Sequence, residues 1–287
     1  MTIERYYLGC PIWSNRDWTG SLFTDDARAD DYLAQYAGVF NSVEGNSTFY
    51  GLPRPSTVQR WREQTGPAFR FCFKFPREIT HRLQLRQAGA ETDEFLKLMT
   101  PLGDRLGPLM LQLPPAFGPA GLTALKDYLI ALPPDFEYAV EVRHRAFFDK
   151  GNNERALHRL LTERSIDRVM LDSRALFSAA DDQPATLEAQ RKKPRLPVHP
   201  RATGSRPLIR FIGHPDVEAN RRFLQPWFAK LADWIGEGRT PYLFTHTPDN
   251  QAAPELAALA HRLLAEQVPD IGALARQPVA PAQSALF

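Results

Sequence analysis

The chain lacks most of the features that assign a protein at sight. It has two cysteines in 287 residues, which excludes a disulfide-built scaffold. No apolar run approaches the roughly 18 residues that a membrane span needs, and the first residues carry no signal-peptide core. Charge is nearly balanced, with 35 Lys and Arg against 33 Asp and Glu, so net charge implies neither a nucleic-acid nor a membrane partner. A glycine-rich phosphate loop is missing: Gly9-Cys10-Pro11-Ile12-Trp13 departs from G-x-G-x-x-G and argues against a dinucleotide-binding domain. No H-E-x-x-H or similar tight spacing marks a metal site. No repeat of about 20 to 50 residues is visible.

What is present is a regular alternation. Hydrophobic residues at 43% and charged residues at 24% belong to a globular protein with a sizeable core. Strand-like runs occupy residues 5–12, 38–44, 70–76, 109–114, 138–144, 168–174, 207–213 and 241–246. Between them apolar residues recur at helical spacing, as in Tyr32, Leu33 and Tyr36, in Phe95, Leu96 and Met99, and in Leu256, Leu259 and Leu263. Eight such strands predict an α/β fold, a single (β/α)8 TIM barrel over residues 1–267, in preference to an open sheet. In that barrel another strand separates Cys10 from Cys72, placing their backbones roughly 9–10 Å apart. That is beyond disulfide reach, and buried free thiols suit a reducing, cytoplasmic setting.

Two segments break the alternation. Residues 175–206 show no clean sixth helix, and residues 190–206 carry six Lys or Arg and no acid. They predict a long basic loop in the sixth β/α unit, lying over one face. Residues 268–287 are rich in Pro and Ala and predict a loosely attached tail.

Chemistry-bearing side chains gather where the strands end, which is where such barrels build their sites. The stretch VFNSVEGNSTFYGLP, residues 39–53, delivers Glu44 and Asn46 at the end of its strand. Later strands end in Lys74 followed by His81, in Gln112, in Glu141 and Arg143, in Asp172, in Arg210, and in His246 followed by Asn250. Three chemistries would use this set. Glu44 and Glu141 would act as general acid and base, as in glycoside hydrolysis. His81, Glu141, Asp172, His214 and His246 would ligate a divalent metal. Lys74, His81, Arg143 and Arg210 would hold an anion, most naturally a phosphate. The same charges would also serve as a buried network filling the barrel. Trp13, Trp18, Phe49 and Tyr50 would stack on a base or sugar at the mouth, or simply pack. The sequence leaves cofactor and metal undetermined.

The pieces VEGNSTFYGLP, FKFPREITH, LMLQLPPAF, YAVEVRH, IRFIGHP and FTHTPDNQAAPELA stand in an order that resembles the DUF72 family, in its YecE-like branch. The resemblance covers roughly residues 7 to 265 and implies a TIM barrel. No biochemical activity comes with the family. Its fold is similar to the endonuclease IV and xylose isomerase barrels, an analogy toward DNA or sugar chemistry that does not fix a function. The family usually reads V-E-I-N where this chain has Val43-Glu44-Gly45-Asn46. Many members open with G-T-S-G-W where Gly9-Cys10-Pro11-Ile12-Trp13 stands here, so no polar first-strand contact carries over. Separately, Gln283-Ser284-Ala285-Leu286-Phe287 resembles the bacterial sliding-clamp-binding pentapeptide Q-L-[S/D]-L-F. Gln283, Leu286 and Phe287 stand in place and the second and third positions differ.

The leading expectation is a barrel whose mouth binds a phosphate-bearing ligand, nucleic acid included. Hydrolysis would use Glu44, Glu141 or Asp172, and substrate would be held by Asn46, Lys74, His81, Gln112, Arg143, Arg210, His246 and Asn250. The alternatives are a metal-free sugar-processing enzyme with a carboxylate pair, and a non-enzymatic adaptor recruited through its tail.

Overall fold

The computed structural model describes residues 5–180 and 182–275. All eight predicted strands form: β1 Tyr7–Gly9, β2 Ser42–Gly45, β3 Arg70–Phe73, β4 Leu109–Gln112, β5 Tyr138–Glu141, β6 Asp167–Asp172, β7 Leu208–Ile212 and β8 Tyr242–His246. Helices between them include α1 Tyr32–Val39, α2 Ser47–Tyr50, α3 Pro55–Glu63, α4 Gly89–Met99 and α5 Leu122–Ala131. The second half adds α6 Asn152–Glu163, α7 Pro184–Lys192, α8 Arg221–Gly236 and α9 Ala253–Ala265. Prolines open α3, α7 and α9, where a helix has no use for the missing N–H. Gly38 and Val39, expected to begin the second strand, close α1 instead.

The strands are parallel, but their ladder is not one closed ring. Six of them form a curled sheet in the order β1-β8-β7-β6-β5-β4, and β2 and β3 form a separate pair. The expected closed eight-stranded barrel is thus met as a barrel-like fold with two seams. Across the β3/β4 seam, Phe75 N–H donates to Met110 O at 3.0 Å and Gly107 N–H to Phe71 O at 3.0 Å. Across the β1/β2 seam, Glu44 N–H donates to Cys10 O at 3.0 Å. There the Tyr36 hydroxyl takes the place of ladder bonds, accepting from Cys10 N–H at 2.6 Å and donating to Ser42 O at 2.9 Å. Gly9 lets the two backbones approach, since a Cβ at that position would lie 2.0 Å from Ser42 O.

The inside of the curl has two layers, read directly from the period of two. Its lower layer is apolar, with Cys72, Met110, Ala139, Val169, Leu208, Tyr242 and Phe244 packed together. Two residues further along the same strands stand Lys74, Gln112, Glu141, Arg210 and His246, all buried. The main core lies outside, where the other face of each strand meets the helices. Both cysteines are buried and free. No helix of the described residues is long and apolar enough to cross a membrane.

The sixth unit departs from the expected loop. It holds a short turn, Leu176–Ser178, and then a true helix, α7. The basic segment does not lie over one face. Lys192 and Lys193 sit at the mouth, whereas Thr203 bonds to Ile166 O at 2.7 Å and Arg206 pairs with Glu137 at 2.6 Å, at the opposite end of the strands. Val268 and Ile271 are buried in the core, so the described part of the expected tail begins packed against the body.

Candidate functional site

The polar upper layer is the floor of a cavity of about 710 Å³ at the C-terminal ends of the strands. At its centre is Glu44, fully buried at the end of β2. Its Oε1 accepts from Arg210 Nη2 at 2.8 Å and Lys74 Nζ at 3.0 Å. Its Oε2 accepts from Arg210 Nε at 2.7 Å and His246 Nε2 at 2.9 Å. Arg210 reaches on to Glu141, donating from Nη1 to Oε2 at 2.6 Å. The other oxygen of Glu141 takes Arg143 Nε at 2.7 Å, and Arg143 Nη2 donates to Gln112 Oε1 at 2.9 Å. One guanidinium therefore bridges two carboxylates, with the planar fork that suits arginine and not lysine.

This wiring fixes the protonation states. Burial alone would raise the carboxyl of Glu44, but Arg210, Lys74 and His246 outweigh it and hold it well below the usual range. Glu141 follows the same balance, with Arg210 and Arg143 bringing it to about 2. Burial pushes His246 down to about 4 despite Glu44, so its imidazole is neutral and Nε2 carries the donated hydrogen. Burial and Arg210 lower Lys74 to about 8. A carboxylate pair for glycoside hydrolysis needs one member protonated near neutral pH. Glu44 and Glu141 are both ionised, and each of their oxygens already accepts a hydrogen bond, which argues against that use.

The rim completes the cavity. A π-helical turn, Glu78–Arg82, presents His81, whose Nδ1 lies 2.9 Å from Thr80 Oγ1. Burial, Arg143 and Arg77 lower its pKa. Phe49 meets the His81 ring edge-on at 5.0 Å, and Tyr50 beside it is 77% exposed. Asn46 lines the wall while its Nδ2 donates to Pro11 O at 2.8 Å. Asn250, at φ 65°, lines the far side, and its backbone carbonyl accepts from Trp18 Nε1 at 3.0 Å. Trp13 and Trp18 themselves pack into the aromatic core.

The structure gathers ten of the sequence-predicted residues at this mouth: Glu44, Asn46, Lys74, His81, Gln112, Glu141, Arg143, Arg210, His246 and Asn250. Asp172 is not among them. Leu171 is the register partner of Arg210 and so takes the inward face, turning Asp172 outward. There its Oδ2 accepts from Trp227 Nε1 of α8 at 2.8 Å and from Arg174 Nη2 at 2.7 Å. His214 also lies apart, its Nδ1 accepting from Asp216 N–H at 3.0 Å within a turn. Among the described residues no group of three His, Cys, Asp or Glu side chains is placed to hold a metal ion, so the proposed five-residue ligand set does not converge. Gln283, Leu286 and Phe287 lie outside the described residues.

Sequence reasoning missed Lys193 and Arg77, which also line the cavity. Arg77 stands inside the quoted FKFPREITH piece. Lys193 sits in the basic run, but only the unanticipated helix α7 carries it to the mouth.

Comparison with known proteins identifies the family and the fold. The family described as "Protein of unknown function DUF72" matches residues 7–283. UPF0759 protein YecE of Escherichia coli K12 is 48% identical over 281 residues, 98% of this chain and 99% of that protein. Two crystal structures of DUF72 family proteins superpose well. The one from Thermotoga maritima MSB8 has a TM-score of 0.68 at 22% identity, covering 90% of this chain and 98% of that one. The other, from Enterococcus faecalis V583, has a TM-score of 0.67 at 18% identity, covering 97% and 99%. With its family match spanning nearly all of the sequence and a relative at 48% identity, the chain belongs to the DUF72 family.

Proposed function

We propose that the mouth of the curled sheet binds a small phosphate-bearing ligand. One observation carries this reading. Lys74, Arg143, Arg210 and Lys193 surround Glu44 and Glu141, every oxygen of those two carboxylates is already engaged, and the cavity's other acids, Glu188 and Asp249, are matched by Lys192 and Arg77 in its lining. The surplus is positive, partly desolvated and directed into a cavity, the setting in which an anion gains most. Phe49 and Tyr50 at the rim add flat apolar area for a sugar or base attached to the phosphate.

A small ester is favoured over a nucleic-acid strand. The cations of residues 190–206 run from the mouth to the far end of the strands and do not form one stripe for a phosphate backbone.

Thermal unfolding with inorganic phosphate, a sugar phosphate, a nucleoside monophosphate and the unphosphorylated sugar tests the reading. At about 100 times Kd a bound ester should add about 2.7 kcal/mol of stability, and Arg143→Gln should reduce the effect. An equal shift with the unphosphorylated sugar would return the site to sugar chemistry. No shift with any phosphate compound would overturn the proposal.

A further inference from the structure

Lys193 is the cation in the floor whose position the hydrogen bonds of its neighbours do not explain. Arg210 and Lys74 are clamped on Glu44, and Arg143 on Glu141. Among the described residues the Lys193 ammonium has no hydrogen bond or ion pair of its own, although it lines the cavity. The floor carboxylates are taken up by its neighbours: both oxygens of Glu44 accept two donors each, and those of Glu141 accept from Arg143 and Arg210. Its backbone is held on both sides. Lys193 N–H caps α7 by donating to Ala189 O at 2.9 Å, and the following Pro194 offers its carbonyl to Ser173 Oγ at 2.8 Å. Proline fixes its own φ as well. A long flexible side chain is thus anchored at its base and left with a free end inside a cationic pocket.

An unpaired amine among other cations, partly removed from water, is the arrangement that makes lysine a nucleophile toward carbonyl groups. We propose that Lys193 forms a Schiff base with an aldehyde or ketone carried by the phosphate-bearing ligand, so that the ligand class is a small phosphorylated carbonyl compound. In that step the nitrogen lone pair forms the C–N bond. The carbonyl oxygen departs as water, taking up the two hydrogens of the neutral amine, and an imine remains. Burial and Arg210 lower the ammonium to about 8, which raises the neutral fraction near neutral pH. Lys74, pinned at 3.0 Å to Glu44, holds the phosphate side of the ligand and is the less mobile amine.

This inference rests on the anion-binding reading above, and the experiment separates the two. The full chain is incubated with glycolaldehyde phosphate and sodium borohydride, which delivers hydride to the imine carbon and leaves a stable secondary amine. The modified lysine is then located by peptide mass spectrometry. Phosphate binding is measured in parallel by calorimetry. The expected result is a single modified site, Lys193, with labelling suppressed about tenfold by excess inorganic phosphate, a 1.4 kcal/mol competition. Lys193→Arg keeps the charge but has no amine to condense with a carbonyl, so it should lose the label. Phosphate binding with no label at Lys193, or with label at Lys74 or spread over exposed amines such as Lys192, would overturn the Schiff base and leave the anion site standing. Absence of both phosphate binding and labelling would overturn both.

Discussion

At the scale of the residue, Glu141 shows how closely stability and site are tied. It is buried and neutralises part of two guanidinium groups. Glu141→Gln keeps the shape but leaves Arg210 and Arg143 short of a charge, and removing one partner of a buried pair costs about 3–5 kcal/mol. The sign of its pH dependence follows from the lowered carboxyl. The wild-type contribution is complete above the ordinary value of 4.5 and is lost as pH falls through about 2. Chemical denaturation of the two proteins should therefore show a wide gap at pH 7 that narrows below pH 4.5. A gap independent of pH would mean that packing, and not charge, holds this side chain. Buried His246 acts earlier on the same acid limb. Its neutral form loses stability as pH falls from 6.5 toward about 4, because the unfolded imidazole binds the proton first. Asp167 works in the opposite direction over part of that range. Burial raises it to about 6, so lowering the pH toward its ordinary 3.8 relieves a cost and partly offsets His246.

At the scale of the element, the period of two explains both what the sequence disclosed and what it hid. Cys72 and Lys74, Met110 and Gln112, Ala139 and Glu141, and Leu208 and Arg210 each stand two apart on one strand. The chemistry was legible because it sits one step above an apolar layer. Asp172 was misplaced because strand-end position was weighed without register; pairing Arg210 with Leu171 sends the neighbouring carboxylate to the helix side. Two other features had no local signature. The break of the ladder into six strands and two depends on how far the sheet curls, and α7 lies in a polar segment whose periodicity is weak. Gly45 gives this level its test. A Cβ at this position would lie 2.1 Å from the Phe73 ring. Phe73 in turn stacks on Phe71 at 5.3 Å and on Trp61 at 5.0 Å. Gly45→Ala should cost about 1–3 kcal/mol by overpacking. Phe73→Leu should recover part of that loss, so the double variant is more stable than the sum of the two single effects. Strict additivity in urea denaturation would show that the aromatic stack moves aside freely and that glycine is not required by it.

At the scale of the whole molecule, the body and the segment 283–287 pose separate questions, and only the first is addressed by the cavity. The Gln283, Leu286 and Phe287 pattern offers one polar and two apolar anchors at the spacing of a clamp-binding peptide. A short segment of this kind gains affinity from a few buried side chains and gives some back in ordering entropy, so micromolar binding is the natural scale. Titrating the full chain against a bacterial sliding clamp should give such an affinity. Deleting residues 283–287, or making Leu286→Ala with Phe287→Ala, should abolish it without altering the response of the body to phosphate. That independence matters, because the anchors are apolar and the cavity is cationic. Added salt at about 0.5 M, where the screening length falls below roughly 5 Å, should weaken ligand binding at the mouth while leaving clamp binding nearly unchanged. If clamp binding survives the deletion, the pentapeptide likeness is coincidental and the contact belongs to the folded body. If it is lost on deletion but also falls steeply with salt, charge and not the two apolar anchors carries it.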